Sequence, residues 1–191
     1  MLNYLRASLV LVVSFTILTG LAYPLAITGI AQLAFPATAN GSAIERDGKV
    51  VGSALIAQAF TKPEYFWPRP SAAGEKGFDA RSSSGSNFGP TSKALADRIG
   101  TDVARYGVPA AQIPADLLTA SASGLDPDIS PAAARFQVDR VAHARGLPME
   151  TVSGLVDQAI ERPFLGVIGE NRVNVLRLNL ALDALKKRSG S

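Results

Sequence analysis

The sequence has no cysteine and only one histidine among its 191 residues. Without thiols the chain can form neither disulfides nor zinc sites with sulfur ligands, and one imidazole excludes metal sites built from several histidines. The sequence also contains no G-x-x-x-x-G-K-[ST] phosphate loop and no G-x-S-x-G or S-x-x-K nucleophile motif. These absences argue against a catalytic centre of the common kinds.

Charge is missing from a long stretch near the N-terminus. No charged side chain occurs from Ala7 to Phe35, a run of 29 residues. As a continuous helix this run would extend roughly 43 Å, which exceeds the hydrocarbon core of a bilayer. The pattern predicts a transmembrane helix at residues 7–35. Gly20 and Pro24 fall inside it, and both residue types are tolerated in lipid, where they bend a helix or bring its backbone close to a neighbour.

A cleaved signal peptide is the competing interpretation, because Ala37-Thr38-Ala39 has the small-x-small form of a processing site. The apolar run is about twice as long as a signal peptide core, which favours a retained helix. Arg6 precedes the run, whereas nothing basic lies between Phe35 and Arg46. The end of a membrane helix that is flanked by Lys or Arg usually stays on the cytoplasmic side of the membrane. We therefore expect residues 1–6 in the cytoplasm and residues 36–191 as a soluble extracytoplasmic domain.

The soluble domain is close to neutral, because removal of Arg6 leaves 18 basic residues against 16 acidic ones. Nucleic acid is therefore not an expected partner.

The residue pattern of the soluble domain predicts a mixed α+β fold. Asp47-Gly48 between two short runs, Ser42–Arg46 and Lys49–Gly52, predicts a β-hairpin. Ser53 is placed to cap a short helix through Phe60, and the segment from Pro63 to Pro90 is predicted to be a long irregular loop.

Helical spacing dominates the remainder of the chain. One helix is predicted from Thr91 to about Tyr106, and Gly107 would cap it. A second has Ser130 as N-cap, Pro131 at the first position and Gly146 as its end, and a third runs from Leu147-Pro148 to about Ile160. Residues 173–182 fit both periodicities, and we favour a strand that passes into a terminal helix.

Two groups of side chains are candidates for function. Tyr65-Phe66-Trp67 with Arg69 fits either ordinary core or a buried anchor for a partner protein, since aromatic residues and arginine are enriched at binding hot spots. His143 could serve a hydrolase only if Ser71 or a serine among residues 82–86 met it in the fold. The simpler interpretation places His143 in the last turn of a helix, where positive charge is favourable. No metal ligand set or catalytic residue is predicted.

Five segments, taken in order, resemble the KdpC family, the C subunit of the bacterial Kdp potassium-transporting P-type ATPase. They are G-S-A-L-I-A-Q at 52–58, Y-F-W-P-R-P-S-A at 65–72, S-G-S-N-F-G-P at 84–90, A-S-A-S-G-L-D-P at 120–127 with I-S-P-A-A-A at 129–134, and R-V-N-V-L at 172–176 with L-N-L-A-L at 178–182. The likeness covers nearly the whole chain. Ala57, Pro68, Asp128 and Asn171 depart from the family pattern.

The resemblance implies a non-catalytic accessory subunit of an ATP-driven potassium uptake complex in the bacterial inner membrane. Its partners would be the channel-like subunit KdpA, the ATPase subunit KdpB, the small subunit KdpF and the lipid bilayer. Such a subunit is needed for assembly, and a catalytic chaperone role that raises the ATP affinity of KdpB has been proposed for the family. ATP and potassium would be handled by the complex, with no cofactor bound directly by this chain.

We expect the membrane helix to pack against KdpA and the aromatic loop to lie on the outer face of KdpA, near the potassium entrance. The candidate interface residues are Gly20, Pro24, Tyr65, Phe66, Trp67, Arg69 and Asn87. The alternative is a membrane-anchored extracytoplasmic hydrolase that uses a serine with His143.

Overall fold

The computed structural model describes the backbone of residues 2–189 and the side chains of residues 2–185. It confirms a mixed α and β fold with an apolar N-terminal helix, and the chain divides into two compact units at Val50. In chain order the elements are α1 (Leu2–Ile17), a π-helical turn (Leu18–Ala22), α2 (Tyr23–Ala34), α3 (Pro36–Ala39), β1 (Ala43–Arg46), β2 (Lys49–Ser53), α4 (Lys93–Tyr106), two 3-10 turns (Ala110–Gln112 and Ala115–Leu117), β3 (Asp128–Ile129), α5 (Pro131–Phe136), α6 (Val138–Arg145), α7 (Met149–Ala159), β4 (Ile160–Glu161), β5 (Arg172–Asn174) and α8 (Val175–Ser189).

The first unit is dominated by one continuous helix from Leu2 to Ala34, formed by α1, the π turn and α2. It has 33 residues and a mean hydropathy of 2.1, and none of its most apolar window is buried within the chain. Among the described residues it is the one helix long and apolar enough to cross a membrane. The helix begins at Leu2, five residues before the predicted start at Ala7.

The π turn has a local cause in Pro24. Proline lacks an N–H, so the carbonyl of Gly20 loses its usual helical donor, and the proline ring crowds that carbonyl. The backbone responds by widening, and the N–H of Tyr23 donates to the carbonyl of Leu18, five residues back. Thr19 adds a side-chain bond of 2.6 Å to the carbonyl of Phe15. The π turn is therefore explained by Pro24, and it lies at the position where the sequence predicts a local distortion of the helix.

The hairpin predicted around Asp47-Gly48 is confirmed. Strands β1 and β2 form a two-stranded sheet, and Asp47 and Gly48 have φ values of 53° and 74°. Positive φ at both central residues is the conformation that a type I′ turn requires and that Asp-Gly favours.

The short helix predicted at residues 53–60 is wrong, because this segment contains turns and extended backbone without a helix. The Ser53 side chain does accept a hydrogen bond, from the N–H of Leu55. The following residues bond outside the segment: the N–H of Ala57 donates to the carbonyl of Leu125 at 2.9 Å, and Gln58 Nε2 donates to the carbonyl of Val51 at 2.8 Å. Tertiary hydrogen bonds therefore replace the local helical ones.

Most other predicted elements are confirmed. Residues 63–90 contain no helix or strand, as predicted. Helix α4 begins at Lys93, two residues after the predicted Thr91, and is capped by Gly107 in the left-handed conformation. Helix α7 ends one residue before the predicted Ile160. The helix predicted from Ser130 to Gly146 is divided, which corrects that prediction. Ser130 caps α5 by accepting from the N–H of Ala133 at 3.0 Å, but α5 stops at Phe136, and α6 begins after Gln137.

Strand β5 lies at the centre of a three-stranded antiparallel sheet of order β3-β5-β4. Val173 of β5 is opposite Ile129 on one side and Ile160 on the other, and it is fully buried. The chain passes directly from β5 into α8, which confirms the strand-to-helix interpretation. Helix α7 contacts β5 as well as α5, α6 and α8, so the sheet is covered by helices. Strands β3 and β4 were not predicted, since each has two residues.

Two buried amide side chains hold the irregular loop inside this core. Asn179 of α8 accepts from the N–H of Phe66 at 2.9 Å and donates to the carbonyl of Phe66 at 3.0 Å. Gln137 accepts from the N–H of Trp67 at 2.8 Å and donates to the carbonyl of Trp67 at 3.1 Å. Each amide satisfies both backbone groups of one residue, as a neighbouring strand would. We call this pair the amide clamp.

The amide clamp leads to a stability prediction. Asn179→Leu would leave the N–H and the carbonyl of Phe66 without partners, and each unsatisfied buried group costs about 1–3 kcal/mol. We expect an unfolding free energy lower by about 2–5 kcal/mol, measured by urea unfolding of the full chain in detergent. Gln158→Leu on the exposed surface of α7 is the matched control and should change little. Equal stability of the two variants would contradict the role given to Asn179.

Candidate partner interface

The aromatic stretch passes through the core of the second unit. Phe66 is fully buried and Trp67 is 6% exposed, whereas Tyr65 and Arg69 are partly exposed. Of the two interpretations left open by the sequence, the core interpretation therefore holds for Phe66 and Trp67. The side chains of Tyr65 and Arg69 keep access to the surface, and their contact with a partner stays a prediction.

Trp67 is stacked by two arginines. The guanidinium carbons of Arg105 and Arg140 lie 3.6 Å and 3.7 Å from the ring centroid, and the indole N–H donates to the carbonyl of Lys62 at 2.9 Å. Both stacks are cation–π contacts. Arg140 also donates to the carbonyl of Tyr65 at 3.0 Å, so it ties α6 to the loop. Burial lowers the pKa of the Arg140 guanidinium to about 10.

A second arginine network fixes Tyr65. Its hydroxyl donates to Asp183 at 3.2 Å, and Arg145 donates to the same carboxylate at 2.9 Å and to the carbonyl of Glu64 at 2.7 Å. Burial, the charge of Asp183 and the hydrogen bond to it raise the pKa of Tyr65. Arg145 and Asp183 were not predicted as important, because they lie 81 and 118 residues from the groups they bind, and no local motif marks them.

Arg69 and Asn87 have different environments. Arg69 forms an ion pair of 2.8 Å with Asp126, and both side chains are about three-quarters buried. Asn87 is exposed at φ 53°, next to Phe88, which is 44% exposed. The backbone before them is attached to the rest of the unit, because the N–H of Ser84 donates to the carbonyl of Ser123 at 3.0 Å. Asn87 and Phe88 therefore lie at an exposed position on a loop that is hydrogen-bonded to the rest of the unit, where a partner could contact them.

Gly20 and Pro24 lie in or beside the π turn of the membrane helix. A Cβ atom added at Gly20 would meet nothing within 4 Å, so the backbone there is open on its outer side. Small residues of this kind allow another helix to approach closely in lipid. The interface role of Gly20 and Pro24 stays a prediction.

The structure shows an exposed apolar surface that the sequence analysis missed. Phe164, Leu165, Val167 and Ile168 are 70%, 77%, 80% and 64% exposed. They form a tight turn in which Phe164 and Ile168 exchange backbone hydrogen bonds of 3.0 Å and 3.1 Å. We call these four residues the apolar tip. The run Pro-Phe-Leu-Gly-Val-Ile could have been noticed as four large apolar residues interrupted by one glycine.

The hydrolase alternative receives no support from the geometry. His143 is exposed in the last turn of α6, and within the described part of the chain it makes no hydrogen bond with a serine. The Ser71 hydroxyl is already used: it donates to the carbonyl of Gly124 at 2.5 Å and accepts from the N–H of Phe78 at 2.7 Å. In residues 2–189, no group of three or more His, Cys, Asp or Glu residues could hold a metal ion.

Comparison with known proteins decides the family. The family model described as "KdpC: K+-transporting ATPase, c chain" matches residues 5–184. The chain belongs to the KdpC family. It is 61% identical over 187 residues to the potassium-transporting ATPase KdpC subunit of Caulobacter vibrioides, which covers 96% of this chain and 94% of that protein. It is 60% identical to the KdpC subunit of Polaromonas naphthalenivorans, with 97% of each chain covered. The KdpC subunit of Gemmatimonas aurantiaca is 59% identical, with coverage of 100% and 98%.

The segments that resemble the KdpC family meet one another in the fold. Asn179 binds the backbone of Phe66, and Asn174 donates to the carbonyl of Ala54 at 2.9 Å. At Gly124 an added Cβ would lie 2.6 Å from the carbonyl oxygen of Ser84 and 2.7 Å from the nitrogen of Ala73, so no larger residue fits. The family segments are therefore mutually dependent parts of one core.

The environment of Tyr106 leads to a pH prediction. Burial raises the pKa of this phenol to about 12. In the unfolded chain the Tyr106 phenol titrates near pH 10. The free energy that the buried neutral phenol contributes to folding is therefore fully present below pH 10 and is lost as the pH rises through about 12. Relative to Tyr106→Phe, the unfolding free energy of the wild type should fall by about 1 kcal/mol between pH 9 and pH 11. Urea unfolding at both pH values measures it, and a constant difference between the two proteins would refute the burial argument.

Proposed function

We propose that the chain is a non-catalytic accessory subunit of a potassium-transporting ATPase complex that stabilises the assembly of KdpA and KdpB with KdpF. The match to the KdpC family over residues 5–184 carries this proposal, because it includes both compact units. The relatives are named as subunits of a potassium-transporting ATPase, and the alignment extends over 94–98% of the length of the three compared above. A sequence match over nearly the full length of both chains supports an equivalent subunit role in an equivalent complex.

We propose that the helix from Leu2 to Ala34 crosses the bacterial inner membrane once, with the N-terminus in the cytoplasm and the second unit outside. Arg6 lies near the start of the helix, and no basic residue occurs between Phe35 and Arg46. This asymmetry supports the orientation. ATP is then on the opposite side from the second unit, so an effect on the ATP affinity of KdpB would act through subunit contacts and not through nucleotide bound here.

Two surfaces support contact with other subunits. The membrane helix buries none of its apolar window within this chain, and its open backbone at Gly20 suits a close neighbouring helix of KdpA. Outside the membrane, the apolar tip exposes four large side chains, a pattern typical of surfaces that a partner covers. We propose that the apolar tip and the exposed pair Asn87 and Phe88 contact the outer face of KdpA.

Removal of the chain tests the assembly role. In cells that lack it, KdpA and KdpB should no longer purify together as an active complex. Growth at low potassium and potassium-stimulated ATP hydrolysis by the purified material are the measurements. An intact complex with full activity would rule the proposal out, and a complex with normal assembly but a raised KM for ATP would assign the chain to nucleotide affinity instead.

Gly20→Leu tests the membrane surface. Leucine at this position would block close approach of a neighbouring helix, and we expect a severalfold loss of KdpA and KdpB when the tagged chain is purified. Ala22→Leu is the control, because two residues along a helix place the added bulk on the opposite side. Normal recovery with Gly20→Leu, or an equal loss with both variants, would mean that Gly20 does not lie at the interface.

The double variant Phe164→Ser with Leu165→Ser tests the apolar tip. Both side chains are exposed, so the urea midpoint of the chain should stay unchanged, while recovery of the complex should fall severalfold. Met149→Ser is a suitable control, because Met149 is a 50% exposed hydrophobic residue elsewhere on the second unit. Full recovery of the complex with the double variant would remove the apolar tip from the proposed interface.

A further inference from the structure

Helix α4 is less firmly attached to the second unit than the other helices. None of its residues is buried, whereas α5, α6 and α7 each have at least two buried residues. Ile99, Val103 and Tyr106 pack against the core but are only partly buried. Within residues 2–185, one hydrogen bond joins α4 to a segment beyond its flanking residues, from Arg98 Nη2 to the carbonyl of Leu118 at 3.1 Å. Few buried side chains and few tertiary hydrogen bonds are typical of segments that open locally.

The packing between α4 and the irregular loop is incomplete. A cavity with a volume of about 240 Å³ lies between them, and Arg98, Asp102, Arg105 and Tyr106 of α4 line it. Side chains that line a cavity lack dispersion contacts on that side. Arg105 stacks on Trp67, and the rings of Tyr106 and Trp67 have centroids 5.5 Å apart. The attachment of α4 therefore depends on a small number of side chains.

The side chains of Arg98 and Asp102 oppose the docking of α4. They form an ion pair one turn apart on the helix, with Arg98 Nη1 3.5 Å from Asp102 Oδ2. These two atoms and Arg98 Nε are buried from water and have no hydrogen-bond partner, and in the part of the chain that the structure describes they are the only buried side-chain nitrogens or oxygens of which this is true. The attraction within a buried ion pair offsets its desolvation only where hydrogen bonds satisfy the remaining polar atoms.

The pKa of Asp102 agrees with an unfavourable position for the ion pair. Burial raises this pKa, although the charges of Arg98 and Arg105 act in the opposite direction. Burial raises the pKa of a carboxyl group because the charged form loses its hydration. Water would reach both members of the ion pair once α4 left the loop, so hydration of the pair favours an open position of the helix.

The segments at both ends of α4 are suited to act as hinges. Residues 87–91 before the helix and residues 109–112 after it are exposed. Within the described chain these residues make hydrogen bonds only with near neighbours in the sequence, such as the N–H of Ser92 with the carbonyl of Gly89. Gly107, directly after the helix, has a φ of 68°. The helix can therefore move without breaking other tertiary hydrogen bonds at its ends.

We propose that α4 opens as a unit about these two ends while the sheet and the other helices of the second unit stay folded, and that hydration of Arg98 and Asp102 favours the open state. Opening moves Arg105 away from Trp67 and uncovers that side of the indole ring. Gln137 of the amide clamp still binds the backbone of Trp67. Helix α4 is thus a strap over Trp67 that opens and closes, and this inference does not depend on the proposed function.

Native-state hydrogen exchange of the full chain in detergent tests the opening. We expect the amides of α4 to share one protection factor, about a hundredfold or more below that of α7. Low concentrations of urea should lower the protection of α7 more steeply than that of α4, because opening of α4 alone exposes less surface. Protection that falls gradually toward the ends of α4 would indicate fraying, and equal protection of the two helices would indicate global unfolding. Either result overturns the proposal.

Two valine variants separate local opening from global unfolding. Val152 is fully buried in α7, so Val152→Ala should lower the protection of α7 about tenfold or more. It should leave the protection of α4 unchanged, because the contacts of Val152 persist while α4 is open. Val103→Ala should lower the protection of α4, because Val103 packs against the core from that helix. A fall in α4 protection with Val152→Ala overturns the proposal. If Val152→Ala does not fold, the urea dependence of the wild type decides.

Replacement of the ion pair tests the part of Arg98 and Asp102. Arg98→Met with Asp102→Leu keeps apolar volume and removes the buried polar atoms, so the protection of α4 should rise about tenfold even though the bond to Leu118 is lost. Lys93→Met with Asp97→Leu is the matched control, since this pair has the same spacing on the same helix and its side chains are 86% and 62% exposed. Its α4 protection should stay unchanged. Equal effects of the two double variants, or lower protection without the buried pair, would overturn the part given to Arg98 and Asp102.

Discussion

The fold depends on two side-chain amides that take the place of a β-strand. Asn179 and Gln137 bind the N–H and the carbonyl of Phe66 and Trp67, so a stretch with no regular secondary structure crosses the core with its polar backbone satisfied. These backbone groups must be hydrogen-bonded, because a buried N–H or carbonyl without a partner costs free energy comparable to a lost hydrogen bond. With Phe66 fixed, Trp67 lies where Arg105 and Arg140 stack on its ring.

The polar contacts of the loop also explain how a domain without disulfides orders about thirty residues of irregular chain. Arg140 and Arg145 bind loop carbonyls from α6, Ser71 bonds to Gly124, and Ser84 bonds to Ser123. Each contact joins segments far apart in sequence. The aromatic stretch thus belongs mainly to the core, and the surfaces that we propose for partners are the membrane helix, the loop near Asn87 and the apolar tip.

Features set by local chemistry could be predicted from the sequence, whereas features set by distant contacts could not. The Asp47-Gly48 turn, the Ser130 cap and the left-handed ends at Gly107 and Gly146 all follow from the conformations of single residues. The helix expected at 53–60 is absent, because Ala57 and Gln58 bond to other segments. The break at Gln137 and the roles of Asn179 and Arg145 depend on partners 70 or more residues away, so no local pattern marked them. The likeness to the KdpC family rests on continuous sequence segments, so it can be recognised from the sequence without knowledge of the contacts between them.

We propose that one helix holds an extracytoplasmic accessory unit on the membrane, and the sidedness of the chain is the property to measure. The chain contains no cysteine, so Asn3→Cys and Gln158→Cys each give a single thiol, one near the N-terminus and one on the exposed surface of α7. Intact cells with a permeable outer membrane are treated with a membrane-impermeant maleimide. We expect labelling at position 158 in intact cells and at position 3 only after lysis. Labelling at position 3 in intact cells, with position 158 protected until lysis, would contradict it.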